Sequence, residues 1–492
     1  MKIETLKLVG FLVGVMLLLS IDVSRAQDAP EAKLNRDDLY ESQIVSLRLY
    51  PAKESVPVFK HRLVKDPSGM LDRNAVIHYH RAIHFERRTQ NSTDVDVEVF
   101  NEWAGATPSE LPKEQVKRWL EENRLVFEEL RKSRHCAEVD WGLQPTQYDD
   151  SPWHTISIDE VQHIRQFARL ALIKAKLEIA EGRLDDTIET IQTGYKLGMD
   201  VGKSGFLVGD LVGIASIGIS NGALYELIQH PDAPSLYWAL TELPQPMIDS
   251  RKTILHELSL SKEGFGLGML TSPDEDWTPE QWKKQLFKDA DFLFSTMRVE
   301  EPPGAGVHGT AAAMVLRGYP IARQGLIDSG LNERDVDAMP VLKAVSLYEQ
   351  QVVDKVMAEY RKMLMLPFRE ALEQSINLDR GSYEMSQFKK GASVLPFLDV
   401  FLPATTQVMS ADLRLRNRMV SLRTIEAIRL HLGQTGELPA SLDEIKIVPV
   451  PNNEYSGKPM YYSKTAQGAT LIEFGRREFN AKIYDLTVGE IK

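Results

Sequence analysis

The chain holds a single cysteine, Cys136, among 492 residues. One thiol cannot close an internal disulfide, so packing alone must hold the fold. A nucleophilic thiol needs a base and an electropositive setting. Arg134 and His135 are neighbours only along the chain, and Cys136 reads as a buried or half-buried structural residue. Basic charge is also short. Lys and Arg number 58 against 70 Asp and Glu, for a net charge of −12. That balance argues against a basic stripe that wraps phosphate backbones, and no nucleic-acid partner is expected. There is no H-E-x-x-H pair and no EF-hand spacing.

Long apolar runs are scarce. The first, Leu8 to Ile21, follows Lys2 and Lys7 and precedes Ser24-Arg25-Ala26, with small residues at −3 and −1. This is the pattern of a secretory signal peptide over 1–26, cleaved after Ala26. As a helix the run spans ~21 Å, short of a ~30 Å hydrocarbon core, and an uncleaved anchor is the alternative. No cysteine follows the run, which excludes a lipoprotein. Residues 1–26 hold three of the basic and two of the acidic side chains, so the remainder stands at −13. The expected location is periplasmic or extracellular. The second run, Phe206 to Leu227, contains Asp210 and four glycines, which suit a buried, closely packed helix. No stable transmembrane segment is expected in the mature chain.

What is present is helical periodicity. Apolar residues recur at three- and four-residue spacing over 73–88, 113–134, 158–180, 184–197, 247–261, 280–297, 310–329, 334–378 and 411–432. Residues 91–110 read as polar and turn-rich, and 300–309 as a loop. Residues 47–57 read as extended, and 262–278 as an exposed connection. Gly182 separates two amphipathic stretches into an antiparallel hairpin over 164–198 that resembles one tetratricopeptide unit, without a second copy. Alternation over 458–463, 468–475 and 479–486 makes the tail the one expected β region. The expected fold is mostly α: a layered helical array with this tetratricopeptide-like hairpin and a small C-terminal α+β module. The linear division is 27–157 as an N-terminal helical region, 158–405 as a central helical region and 406–492 as the C-terminal helix with its β module.

Several stretches together carry a resemblance: EVDW at 138–141, LALIKAKLEIAEGRLDDTIETIQTG at 170–194, LYWALTELPQP at 236–246, LRTIEAIRLHLGQTGELPASLDEI at 422–445 and VPVPNNEYSGKPMYY at 448–462. The chain resembles a group of exported helical proteins typical of planctomycete-type bacteria. The resemblance covers most of the mature chain and implies one integrated unit, and it assigns no activity. The tail is also similar to the globular ends of type II secretion pseudopilins, in its long helix, its G-x-x-P-x-S-L turn and its terminal hairpin. Asn452, Asn453 and Glu454 replace the Asp-Pro pair of that pattern, and the helix does not follow a pilin-type signal. The likeness is one of structure.

Candidate chemistry is thin. His80 and His84 share a helical face at a workable metal-ligand spacing, with Asp72 or Glu86 needed to complete a set. Arginines 73, 81, 87 and 88 on the same stretch oppose a cation. The G-x-G-x-x-G at 304–309 lacks the preceding strand that a dinucleotide site needs. Pro273 to Asp276 reads as a solvated acidic loop, and the sequon at Asn91 carries no weight. No catalytic residue and no cofactor is expected. Tyr237 and Trp238 are candidates to line a groove, with burial between helices as the alternative for them and for Trp141. The leading expectation is an exported, non-enzymatic scaffold or binding protein with an envelope partner. The alternatives are an extracytoplasmic hydrolase, metal-assisted through the histidine helix, and an accessory component of an envelope secretion machine.

Overall fold

The structure, a computed structural model, describes residues 43–90, 95, 97–143, 159–256, 276–297, 306–371, 397–473 and 481–489. The signal segment 1–26, the sequon 91–93 and most of the 262–278 connection lie outside the described residues. In chain order the main elements are β1 (Gln43–Leu49), β2 (Leu71–Asn74), α1 (Val76–Gln90), α2 (Val97–Gly105), α3 (Lys113–Glu122), α4 (Arg124–Ser133), β3 (Cys136–Glu138), α5 (Asp159–Ala180), α6 (Leu184–Val201), α7 (Leu207–Ile228), α8 (Tyr237–Thr241), α9 (Pro279–Met297), α10 (Gly306–Asp328), α11 (Glu333–Ala338), α12 (Val341–Met365), α13 (Phe397–Thr435), β4 (Tyr461–Lys464), β5 (Ala469–Glu473) and β6 (Lys482–Val488). The protein is mostly α with a small strand-containing C-terminal module, as its periodicity implies.

The chain divides into two units. The larger takes its described residues from 43–143, 159–250 and 410–489, the smaller from 251–409. This division does not follow the linear one expected from the sequence. The reason is strand pairing: β1 lies parallel to β6, with Gln43 opposite Lys482 and Leu49 opposite Val488. The sheet order is β1-β6-β5-β4, the last three antiparallel. The tail is therefore not the only β region. Val45, Leu47 and Leu49 alternate toward the core over too few residues, and too near Pro51, to stand out as a strand. A second small sheet pairs β2 with β3 in parallel.

The larger unit is centred on α5, α6 and α7, which pack against one another. Gly182, at φ 73°, turns the chain between α5 and α6, a conformation that costs a side chain strain. Tyr195 on α6 donates to Asn221 on α7 at 2.6 Å. Helix α7 is the one described helix long and apolar enough to cross a membrane, and 67% of its apolar window is buried inside the protein. One continuous apolar cluster joins Leu47 and Leu49 of β1, Leu224 of α7, Ile425 of α13 and Leu471 of β5. Further corrections arise here. Residues 97–105 are helical because Phe100 and Trp103 pack against Trp119, with ring centroids 5.7 Å apart in both pairs. Lys176, itself buried, donates to the carbonyls of Ala104 and Ala106 at 2.6 Å and closes that helix. The 113–134 stretch breaks at Asn123, whose amide donates to the Trp119 carbonyl.

In the smaller unit, α10 packs on α9 and α12. Residues 306–309, expected in a loop, begin α10. His308 stacks on Phe287 at 4.0 Å and pairs with Asp291 at 2.8 Å. Met339 and Pro340 divide the expected 334–378 helix into α11 and α12. Arg323 ties α10 to α11 through Glu333 and Asp337, each at 2.6 Å. The stretch expected to be helical at 411–432 is part of one 39-residue helix, α13.

Candidate functional site

A cavity of about 320 Å³ opens in the larger unit. Three segments wall it. The first is Leu240 to Met247, where α8 ends in Leu243-Pro244-Gln245-Pro246 and the Gln245–Pro246 peptide is cis. The second is one face of α13, on which Asp412, Leu415, Arg416, Met419 and Arg423 recur at three- and four-residue spacing. The third is the loop holding Pro451, Asn452 and Glu454. Buried Asn453 shapes this loop by accepting from Tyr455 and Ser456 N–H at 2.8 and 2.9 Å. Asn417 on α13 accepts from Glu454 N–H at 2.9 Å and pins the loop to the helix.

The charges on these walls differ in how they are met. Asp412 is buried, accepts from Arg416 Nε at 2.8 Å and from Ser250 Oγ at 2.9 Å. Burial raises its carboxyl from the ordinary range, and Arg416 and Ser250 pull it back. Arg423 has no such answer. Its Nε is buried without a hydrogen-bond partner, and its guanidinium lies 5.6 Å from the Tyr237 ring centroid.

Tyr237 and Trp238 do not line this cavity. Tyr237 is 1% exposed and donates its hydroxyl to the Pro449 carbonyl. Trp238 is half-buried, meets Tyr237 edge to face and donates to Glu54. Tyr237 acts at one remove, as the aromatic surface under Arg423. Trp141 is a core anchor: it stacks on Tyr79 at 5.7 Å and donates to the Asp200 carbonyl at 2.9 Å. Cys136 is buried, and burial pushes its thiol up.

The histidine helix does not assemble a metal set. His80 and His84 are exposed. His78 meets Glu129 at 2.7 Å, and Glu86, one of the two completing carboxylates, is taken by His163 at 2.8 Å. Among the described residues no group of three or more His, Cys, Asp or Glu is placed to hold a metal ion. A second cavity, about 510 Å³, lies among α3, α4, α5 and α6. Its cations and carboxylates answer one another: Lys174 with Glu178, Arg183 with Asp186, Arg134 with Glu189.

Sequence reasoning missed the α13 face and a buried polar cluster at the sheet. Glu473 accepts from Arg418 at 3.1 Å, Ser421 at 2.8 Å and Tyr484 at 2.9 Å, and Tyr225 meets the Tyr484 hydroxyl. Lys482 is 7% exposed, with its ammonium over the Tyr225 and Tyr484 rings. Burial first, then Arg418, lowers it from 10.5 to about 8, against the opposing pull of Glu473. The unfolded chain keeps this proton up to its ordinary value while the folded chain releases it near 8. Between those values the unfolded state binds more protons, so stability rises with pH, and below 8 the buried charge is a cost. Lys482→Met is expected to raise stability at pH 7 by on the order of 1 kcal/mol, net of the lost ring contacts. That advantage should shrink from pH 8 toward 10.5. Urea curves at pH 7 and pH 10 check it, and an equal advantage at both contradicts the assignment.

Set against protein-family models, curated proteins and solved structures, the chain finds no match.

Proposed function

We propose that the protein is an exported, non-enzymatic binding protein of the cell envelope, and that its working site is the cavity between α8, α13 and the 451–454 loop. The observation that carries this reading is the cavity itself: a concave recess in which nine apolar residues share the lining with six polar ones, a form that can hold a small amphiphile. The stretches 236–246 and 448–462, on which the resemblance to the planctomycete-type exported proteins partly rests, both contribute walls. The export reading rests on the signal pattern over 1–26. The catalytic alternative gains no support from the exposed positions of His80 and His84.

The test is native mass spectrometry of the full chain purified gently from its own envelope fraction. A bound small organic compound is expected on the wild type. Met419→Trp, which fills the recess from the helix side, is expected to lose it while melting cooperatively. A wild type that carries no compound, and that none of a set of small amphiphiles protects against heating, sinks the reading.

A further inference from the structure

Resting on the reading of this cavity as a ligand site, we infer that its ligand is a monoanion with an apolar body, a medium-chain carboxylate in chemical class, held at its charged end by Arg423. A guanidinium carries five donors in a rigid planar fork. Among the described residues Arg423 makes no hydrogen bond or ion pair, and its Nε is shut away from water. A guanidinium left unpaired on the wall of a recess is a charge that an anion can meet at its outer nitrogens. The group that meets it best is a planar carboxylate, which forms two parallel charge-assisted bonds.

No wall of the cavity already supplies that anion. Asp412 is occupied by Arg416 and Ser250. Glu454 lies in the pinned loop, outside ion-pair distance of Arg423, and is half-buried. Its charge disfavours a ligand with two negative charges, which selects a carboxylate over a phosphate monoester. The Tyr237 ring supports the guanidinium from one side. Part of the remaining surface suits a hydrocarbon chain: Leu240, Leu243, Met247, Leu415, Met419 and Val420. The space, about 320 Å³, admits a molecule of octanoate's size.

The experiment compares octanoate, octan-1-ol and octylamine by calorimetric titration of the full chain, with Arg423→Met and Arg423→Lys alongside the wild type. Octanoate is expected to bind at least tenfold tighter than the alcohol, and the amine weakest. Arg423→Met should erase the octanoate advantage and leave the alcohol's affinity within twofold. Arg423→Lys should keep part of it. Should Arg423→Met fail to fold, the three-ligand comparison on the wild type decides alone. An alcohol or amine that binds as tightly as octanoate overturns the inference and leaves the cavity reading standing. If none of the three binds, the inference falls. If, in addition, no other amphiphile protects the protein, the reading beneath it falls too.

Discussion

Arg429→Met is expected to unfold the larger unit at a much lower urea concentration than the wild type, a loss of about 3–5 kcal/mol. Arg429 and Glu426 are both 0% exposed and meet at 2.7 Å. The remaining donors of Arg429 reach the carbonyls of Tyr50, Ala233 and Pro234 at 3.2, 2.8 and 3.3 Å. Glu426 in turn accepts from Leu236 N–H at 3.0 Å. One guanidinium therefore fastens the segment after β1 and the turn before α8 to α13. Removing it leaves a carboxylate and three carbonyls buried without their donor, and an unpaired buried charge is the costly outcome. The double variant Arg429→Met/Glu426→Leu should recover part of the loss, because an apolar pair of similar volume replaces the ions. The two units need not unfold together, so the measurement is residue-level hydrogen exchange across urea, read in α5 to α7. A single variant within 1 kcal/mol of wild type would falsify this account.

Gly213→Ala is the second large effect, about 2 kcal/mol of net destabilisation. An added Cβ would stand 2.5 Å from the Gly198 carbonyl and 2.7 Å from Ile248 Cδ1. At Gly198 the same addition meets the Gly213 carbonyl at 2.8 Å and Ile217 Cγ1 at 2.6 Å. Helices α6 and α7 thus touch backbone to backbone, and the obstacle at Gly213 includes main chain that no rotamer change can clear. Overpacking costs typically about 1–3 kcal/mol, and a rigid neighbour sets the upper end. The ~1 kcal/mol helix-propensity gain of Ala over Gly offsets only part. Gly218→Ala on the same helix is the control, since its Cβ would meet nothing within 4 Å. That variant should equal or exceed wild type in thermal midpoint. Equal losses at both positions would show that the helix tolerates no substitution, for reasons other than this contact.

The close packing of α7 was legible in the spaced glycines of the 206–227 run, though not its partner α6, and the hairpin was legible in the periodicity on either side of Gly182. Strand β1 was not, because its partner lies at the far side of the chain and only pairing distinguishes it from an extended loop. Helix α2 was hidden by its polar surroundings: two aromatic side chains, Phe100 and Trp103, decide its conformation by burial. The candidate site was half legible. Part of the distinctive 236–246 stretch walls the proposed cavity, while Tyr237 lies buried beneath Arg423 and Trp238 is outside the lining. Arg423 gave no signal, since an arginine inside a helical stripe reads the same whether it faces water or a recess. Its significance lies in what is missing around it, which only three dimensions display.

The parallel pairing of β1 with β6 has a consequence for how the molecule is made. Leu47 and Thr487, which meet across this ladder, are 440 positions apart. At ribosomal rates of ~5–20 residues per second, the earlier strand waits roughly 20–90 s for its mate to be synthesised. Through that interval Leu47 and Leu49 have no final shelter, and a hydrogen-bonding edge stays open to other chains. Contacts of such high contact order form late. The larger unit therefore completes its sheet late, and the growing polypeptide depends on being held apart from its neighbours until the ladder closes.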